Sequence, residues 1–183
     1  MASKKISQLE LIKSLLHDTY LEKGNDAKNL IERDDLTGKI IMRRSIVADR
    51  IDYLLYRYDP NNIKLFPYFA DISGLKKICD YILFAEEGQH LSLLLIELKL
   101  GTESARNQLI ASECFAEFMI KSARRVGIEL TENIYFRKIR VSEERAKNRN
   151  RLTKPGSLKY DENDIINYDY GDDFRIREVL EVL

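Results

Sequence analysis

Two strongly apolar segments joined by a short polar turn constrain the fold more than any other feature of the sequence. The first reads CDYILFA from position 79, and the second reads HLSLLLIELKL from position 90. Between them, residues 86–89 read EEGQ, and the glycine supplies the positive φ that hairpin turns use. The sequence therefore predicts a buried β-hairpin, and the turn predicts either a two-residue loop at residues 87–88 or a four-residue loop at residues 86–89.

Charged residues stand at the outer ends of this hairpin. Asp80 is the second residue of the first predicted strand, and Glu97 and Lys99 lie near the end of the second. Glu97 and Lys99 share a face because side chains alternate along a strand. Either predicted loop pairs Ala85 with His90 and Asp80 with Leu95, so Asp80 joins that face as a diagonal neighbour of Glu97, about 7–8 Å away at Cβ. A loop of odd length would send Asp80 to the opposite face.

Two carboxylates brought together at a sheet surface repel each other and raise each other's pKa. A divalent cation removes that repulsion, and Mg²⁺ needs only one or two carboxylates because it keeps several waters. A charged lysine beside the metal steadies a phosphate oxygen or orients an attacking water. Metal, acids and lysine together predict a site for phosphodiester hydrolysis, with Mg²⁺ or Mn²⁺ as the cofactor.

An aspartate, a hairpin and Glu-x-Lys on the second strand resemble the PD-(D/E)xK nuclease superfamily, which includes restriction enzymes, Holliday-junction resolvases and repair exonucleases. Here the motif reads Cys79-Asp80 and Glu97-Leu98-Lys99, with Cys79 in the place of the usual proline. The resemblance covers residues 63–141, in the order extended segment, Asp strand, Glu-x-Lys strand, helix, strand. It implies a mixed α/β fold, with a small central mixed sheet flanked by helices as in restriction endonucleases.

The resemblance also implies roles for individual side chains. Asp80 and Glu97 would bind the metal, and Lys99 would position the water and stabilise charge on the phosphate. Gln108, early in the following helix, is similar to a glutamine that several branches use to hold the water or the phosphate. Many branches add a glutamate from the helix before the first strand, and the nearest equivalents here are Asp49 and Asp52.

The remaining segments predict helices before the hairpin and one strand after it. Apolar spacing predicts a helix over residues 7–23, a short one at residues 26–36 and another at residues 37–59. We therefore expect residues 1–60 to be an N-terminal helical region packed on a nuclease-like core, residues 61–183, in one compact domain. Residues 63–72 are predicted to be extended, residues 101–125 helical, and residues 133–141 a strand.

Nucleic acid is the predicted partner, although lysine plus arginine and aspartate plus glutamate balance at 30 each. No global field attracts phosphate, so a local patch must. A run of basic residues begins in the last predicted strand and continues beyond it, and it is a candidate for binding the DNA backbone. Its members are Arg137, Lys138, Arg140, Arg145, Lys147, Arg149 and Arg151. The alternative is a surface loop paired with the acidic stretch at residues 161–174.

Cysteine and histidine are too few for a zinc cluster, since the chain has two of each. The two cysteines lie in apolar segments, as buried thiols do in a reducing compartment. The longest apolar run, residues 91–96, is too short to cross a bilayer. We expect a cytoplasmic protein without a membrane partner, and a homodimer is a possibility that the sequence leaves open.

Structural explanations stand beside the catalytic ones. Asp80 can be a turn residue, Glu97 and Lys99 a buried structural ion pair, and Gln108 an exposed helix residue. Asp49 and Asp52 fit a solvated helix face, and Asp71 is a rival to Asp80. The leading prediction is a metal-dependent nuclease acting on DNA, and the alternative is an inactive protein of the same fold that binds nucleic acid or a protein partner.

Overall fold

The computed structural model describes residues 6–34, 36–58, 69–70, 72, 74–101, 103–143, 158–169, 171 and 173–182. Its mixed α/β architecture confirms the predicted fold class. The helices are α1 (Gln8–Leu15), α2 (Arg106–Arg125) and α3 (Ile176–Leu180). The strands are β1 (Asn29–Arg33), β2 (Ile40–Val47), β3 (Asp52–Arg57), β4 (Tyr81–Glu87), β5 (His90–Leu100), β6 (Ile134–Glu143), β7 (Ile165–Tyr168) and β8 (Asp173–Arg175).

The central sheet has five strands in the order β3-β4-β5-β6-β7. Strands β3, β4 and β5 are antiparallel neighbours, whereas β6 and β7 run parallel to β5. The β4–β5 hairpin lies in the middle and is buried on both faces, which explains its near-continuous apolar sequence. Helix α2 connects β5 to β6, as a parallel pair requires.

The sheet packs between two layers, and alternate residues of β4 and β5 face each layer. Helices α1 and α2 cover one face, and the core there includes Ile82, Phe84, Leu93, Leu95, Leu109 and Ile120. A second sheet of three strands, in the order β1-β2-β8, covers the other face together with α3. The second core includes Leu30, Met42, Leu83, Leu94, Ile96 and Phe174. Glu97 and Lys99 lie two and four residues after Leu95 along β5, so they share its face, which carries α2.

The predicted helical region over residues 1–60 is wrong beyond α1. Residues 26–28 form a 3-10 turn, and the chain then forms β1, β2 and β3. The helix predicted over residues 37–59 is interrupted by the β2–β3 turn, where Asp49 and Arg50 have φ of 48° and 70°. Neither is a glycine, so the sequence gives no turn signal there. This N-terminal part is integral to the fold, since β3 is a strand of the central sheet.

The elements predicted after residue 60 have different outcomes. The helix at residues 101–125 and the strand at residues 133–141 are confirmed as α2 and β6. The predicted extended segment at residues 63–72 lies almost entirely outside the described residues, as does Asp71. Among the helices that the structure describes, none is long and apolar enough to cross a membrane.

Candidate active site

The hairpin register brings Asp80 next to Glu97. The loop is Gly88-Gln89, with Gly88 at φ 64°, and Glu87 pairs with His90. The predicted register is therefore wrong by two residues, but a shift of two keeps every side chain on its predicted face. Tyr81 pairs with Ile96, and one further step along the ladder sets Asp80 directly opposite Glu97. Directly opposed Cβ atoms lie about 4.5–5.5 Å apart, closer than the predicted diagonal.

Two reciprocal hydrogen bonds fix these carboxylates. The backbone N–H of Asp80 donates to Glu97 Oε2 at 3.2 Å, and the N–H of Leu98 donates to Asp80 Oδ2 at 2.7 Å. Each acid thus accepts a backbone amide from the strand that carries the other. The pair is held by the sheet itself, which leaves little freedom to reorganise when a ligand arrives.

Lys99 lies beside these two acids, and Asp80, Glu97 and Lys99 together form the cluster of the candidate site. Its Nζ lies 2.8 Å from Glu97 Oε1, and the two side chains are 16% and 5% exposed. The acid is thus almost fully buried beneath a partly exposed cation. The ion pair that the structural explanation predicted is therefore present. It is formed by the same Lys99 amine and Glu97 carboxylate to which the catalytic explanation assigns roles.

The environment shifts the ionisation of both partners. Burial is the largest influence on Glu97 and raises its pKa, although Lys99 and the Asp80 amide oppose the change. Burial alone would lower the pKa of Lys99, but the carboxylates of Glu97, Asp80 and Glu103 outweigh it, so the pKa of Lys99 is raised. Lys99 consequently stays charged at neutral pH.

Glu32 is the acid that sequence reasoning missed. It lies on β1 and pairs with Met42, whose side chain is in the core between the two sheets. Its charge is close enough to raise the pKa of Glu97. No sequence signal pointed to it, because residues 26–36 were predicted to be helical.

The structure does not support Asp49 or Asp52 as a further metal ligand. Asp49 lies in the exposed β2–β3 turn, and Asp52 pairs with Glu86 at the opposite end of β4 from Asp80. Six residues of strand separate Glu86 from Asp80, which corresponds to about 20 Å. The solvated-surface interpretation fits both aspartates.

Helix α2 begins beside the cluster and is tied to it through Ser112. The fully buried Ser112 hydroxyl accepts the N–H of Cys79 at 2.7 Å and donates to the carbonyl of Gln108 at 2.6 Å. Gln108, half-buried in the first turn of α2, is therefore linked to the residue that precedes Asp80. Burial also raises the pKa of the Cys79 thiol, so this cysteine packs as an apolar residue.

Arg140 lies beside Glu97 in the sheet but faces other partners. The register of β5 and β6 pairs the two residues. The Arg140 guanidinium donates to the carbonyls of Gly101 and Glu103 and forms an ion pair of 3.2 Å with Asp169. It therefore holds the connection from β5 to α2.

The other two described members of the predicted basic patch also have internal partners. Arg137 donates to the carbonyls of Leu180 and Val182 and so binds the C-terminal segment. Lys138, 10% exposed, pairs with Glu113 at 3.0 Å and Asp164 at 3.3 Å. These contacts revise the prediction, since the three cations from β6 stabilise the domain. Arg145, Lys147, Arg149 and Arg151 lie outside the described residues.

The donor set suits Mg²⁺ better than a metal that needs a closed protein shell. Within the described part of the chain, no group of three His, Cys, Asp or Glu residues is placed to hold a metal. Asp80 and Glu97 supply two carboxylates, and each oxygen that accepts one hydrogen bond has a second lone pair. Mg²⁺ commonly uses one or two carboxylates and completes its octahedron with water and phosphate oxygens. The residues present therefore fit Mg²⁺ or Mn²⁺.

A large apolar cavity lies elsewhere. It has a volume of about 260 Å³ and lies between α1 and the C-terminal half of α2, where its lining includes Ile12, Leu16, Phe118 and Val126. The cluster adjoins the N-terminal end of the same helix, so the cavity is not part of the candidate site.

Comparison of the chain with protein-family models, curated proteins and solved structures found no match. The functional assignment therefore rests on the chemistry and geometry of the site.

Proposed function

We propose that this protein is a Mg²⁺-dependent nuclease that hydrolyses phosphodiester bonds in DNA. The observation that carries the proposal is the placement of Asp80 directly opposite Glu97, with Lys99 Nζ 2.8 Å from Glu97. An acid pair and a charged amine on one surface match the requirements of phosphodiester hydrolysis. The resemblance to PD-(D/E)xK nucleases supports the same assignment.

The roles follow from the positions. Asp80 and Glu97 would hold Mg²⁺, which when bound polarises the phosphate and lowers the pKa of its water. Lys99, kept charged by its carboxylate neighbours, would orient the attacking water and stabilise the negative charge that develops on the phosphate. Gln108 would contact the water or the phosphate from the first turn of α2. The reciprocal amide bonds fix the acids before substrate binds, and such preorganisation favours electrostatic catalysis.

Cleavage assays with isosteric variants test this proposal. Supercoiled plasmid, single-stranded DNA and RNA are incubated with Mg²⁺ or Mn²⁺, and products are followed over time. Asp80→Asn, Glu97→Gln and Lys99→Met should each reduce the cleavage rate by about 10²-fold or more. Asp52→Asn, an acid at the opposite end of the sheet, is the matched control and should keep wild-type activity.

Full activity in both Glu97→Gln and Lys99→Met would refute the assignment. Glutamine keeps an oxygen for the Asp80 amide, so a loss of activity in a folded Glu97→Gln variant reports the charge and not the hydrogen bond. Circular dichroism and thermal melting of each variant identify any that fail to fold.

A second function, nucleic-acid binding without catalysis, is favoured by one feature of the same cluster. Glu97 is almost fully buried, and Lys99 compensates its charge without a metal. A binding protein would show salt-sensitive affinity for DNA but no cleavage. Calorimetry with Mn²⁺ separates the two functions, because a nuclease should give a binding isotherm that Asp80→Asn and Glu97→Gln abolish.

A further inference from the structure

A polar pocket of about 240 Å³ lies at the hairpin-loop end of the central sheet, on the face that packs against the three-stranded sheet and α3. We propose that this loop-end pocket binds a single nucleobase, either free or within a strand. The inference goes beyond the proposed nuclease and does not depend on it. The side chains that line the pocket from the sheet are Ala85, Glu87, His90, Ser92, Tyr135 and Arg137.

The strand registers explain why a pocket forms there. Ser92 pairs with Ala85 on β4 and with Tyr135 on β6, so these three side chains share one face of the sheet. Ala85 and Ser92 are smaller than Leu83 and Leu94, the buried pair two residues further along the same face. Their short side chains therefore leave a depression in the surface of the sheet, and α3 contributes a further wall through Leu180.

The Ser92 hydroxyl is a polar group that the fold itself does not satisfy. Ser92 is 8% exposed, and within the described part of the chain no hydrogen bond includes its side chain. Strands β4 and β6 flank its backbone on both sides, so its side chain is the part that lines the pocket. A buried hydroxyl without a partner is unfavourable in the folded state. A ligand with a hydrogen-bonding group would supply that partner.

The charged side chains of the pocket balance, which favours an uncharged ligand. The Glu87 carboxylate pairs with Arg177 of α3 at 3.2 Å. Arg137 donates to the carbonyls of Leu180 and Val182, and its buried Nε has no hydrogen-bond partner among the described residues. The lining therefore offers one carboxylate and one guanidinium, together with hydroxyl and imidazole groups that both donate and accept. A neutral ligand with several donors and acceptors matches this set.

Two exposed rings add a surface for stacking. His90 and Tyr135 lie with their ring centroids 5.7 Å apart and their planes at 43°. Tyr135 is 47% exposed, and between described residues no hydrogen bond includes either side chain. Aromatic side chains stack on any base, because every base has a π-face. A cavity of about 150 Å³ holds benzene, so one of about 240 Å³ has room for a heterocycle with polar substituents.

A nucleobase combines the properties that this lining selects. It is planar and uncharged, and its edges carry hydrogen-bond donors and acceptors. We assign Tyr135 to the face of the base, and Ser92 and Glu87 to its edge. Ser92 precedes Glu97 by five residues of β5, about 17 Å, and an odd separation places the two side chains on opposite faces. The loop-end pocket is therefore separate from the candidate active site.

Nucleoside titrations of the intact chain, followed by NMR in EDTA, measure binding without metal or cleavage. The probes are adenosine, guanosine, cytidine and uridine, and we expect the best of them to bind with a Kd of about 0.1–1 mM. Tyr135→Ala should weaken this binding about tenfold or more, because it removes the stacking ring. Phe118→Ala removes a ring that is 65% exposed on α2, across the sheet from the pocket, and is the matched control with unchanged affinity.

Two substitutions of Ser92 separate binding from folding. Ser92→Ala deletes the unpartnered hydroxyl, so its melting temperature should equal or exceed that of the wild type, whereas its affinity for the nucleoside should fall about fivefold. Ser92→Leu fills the depression and should abolish binding. If Ser92→Leu fails to fold, Tyr135→Ala at its exposed position still decides the question.

The outcomes test the pocket independently of the nuclease. Asp80→Asn, which should abolish cleavage, should leave nucleoside binding unchanged. A dinucleotide that binds more tightly than the nucleosides would support the pocket as a site for a base within a strand, and equal affinity would support it as a site for a free base. The proposal would be overturned by the absence of binding at about 10 mM nucleoside, by binding that Tyr135→Ala and Ser92→Leu leave unchanged, or by tighter binding of benzoate than of every nucleoside.

Discussion

Removal of Lys99 should destabilise the protein chiefly because it leaves Glu97 as an uncompensated buried charge. Lys99→Met keeps the length and apolar stem of the side chain but deletes the 2.8 Å contact. Breaking a buried pair by removing one partner typically costs about 3–5 kcal/mol. Because Lys99 is partly exposed and Glu97 keeps its bond from the Asp80 amide, we expect about 2–3 kcal/mol here.

A double-mutant cycle isolates the pair. Glu97→Gln leaves a lysine that solvent can reach, so it should cost about 1–2 kcal/mol. The double variant contains no buried charge and should lie within about 1 kcal/mol of the wild type or above it, which gives a coupling free energy of about 3–4 kcal/mol. Urea unfolding near neutral pH, in the absence of metal, measures all four corners.

The pH dependence of Lys99→Met has a definite sign. Burial already raises the pKa of Glu97, and loss of the lysine raises it further. A raised folded-state pKa contributes stability that is present below the unfolded pKa and is lost as pH rises through the folded pKa. The deficit of Lys99→Met relative to wild type should therefore shrink as pH falls from about 8 to about 5. A coupling below about 0.5 kcal/mol, typical of exposed pairs, or a deficit that grows on acidification, would refute this reasoning.

Three further perturbations follow from the same contacts. Tyr81→Phe leaves the N–H and carbonyl of Ile31 without their hydroxyl partner. The free energy of unfolding, measured by urea titration, should fall by about 2–4 kcal/mol. A change under about 0.5 kcal/mol would show that water replaces the hydroxyl. Ser112→Ala removes the acceptor of the buried Cys79 N–H and should lower the free energy of unfolding by about 1–3 kcal/mol. Ser112→Thr keeps a hydroxyl and should recover part of that loss. Equal stability of the alanine and threonine variants would contradict a stabilising role for this hydrogen bond. Because the pKa of Glu97 is raised, the cleavage rate should increase with pH on the acid side of its profile. A higher Mg²⁺ concentration should move that increase to lower pH, because the metal competes with the proton for the carboxylate. A pH–rate profile that does not change with metal concentration would contradict this prediction.

The central hairpin and its charged ends were predictable because they depend on local rules. Alternation along a strand places Glu97 and Lys99 together whatever the rest of the chain does. Asp80 joins them because the loop has an even number of residues, although the loop itself, Gly88-Gln89, lies one residue later than predicted. The observed register differs from the predicted one by two residues, so every side chain keeps its predicted face. The two carboxylates lie closer together than predicted, and the candidate site is retained.

The N-terminal strands were not predictable from the same rules. The apolar spacing between Val47 and Tyr58 fits one face of a helix as well as two short strands. What decides is the turn at Asp49 and Arg50, whose left-handed backbone carries no glycine, proline or asparagine. Glu32 was hidden by the same misassignment, since only strand geometry and tertiary packing bring it near Glu97.

The basic residues of β6 illustrate a different limit. A count of cations describes a patch, but it cannot say which way each side chain points. Arg137 and Arg140 alternate across the sheet and bind carbonyls on opposite faces, and Lys138 is paired with two acids. Their role in stability depends on partners far away in sequence, which no local pattern reveals.

Anomalous diffraction from crystals soaked in Mn²⁺ tests the central claim most directly, because it locates the metal without reference to activity. We predict a single strong peak within coordination distance of both the Asp80 and Glu97 carboxylates, and its loss in Asp80→Asn crystals soaked in the same way. A map with no peak at this pair, or with manganese bound only elsewhere, would contradict the metal-dependent nuclease.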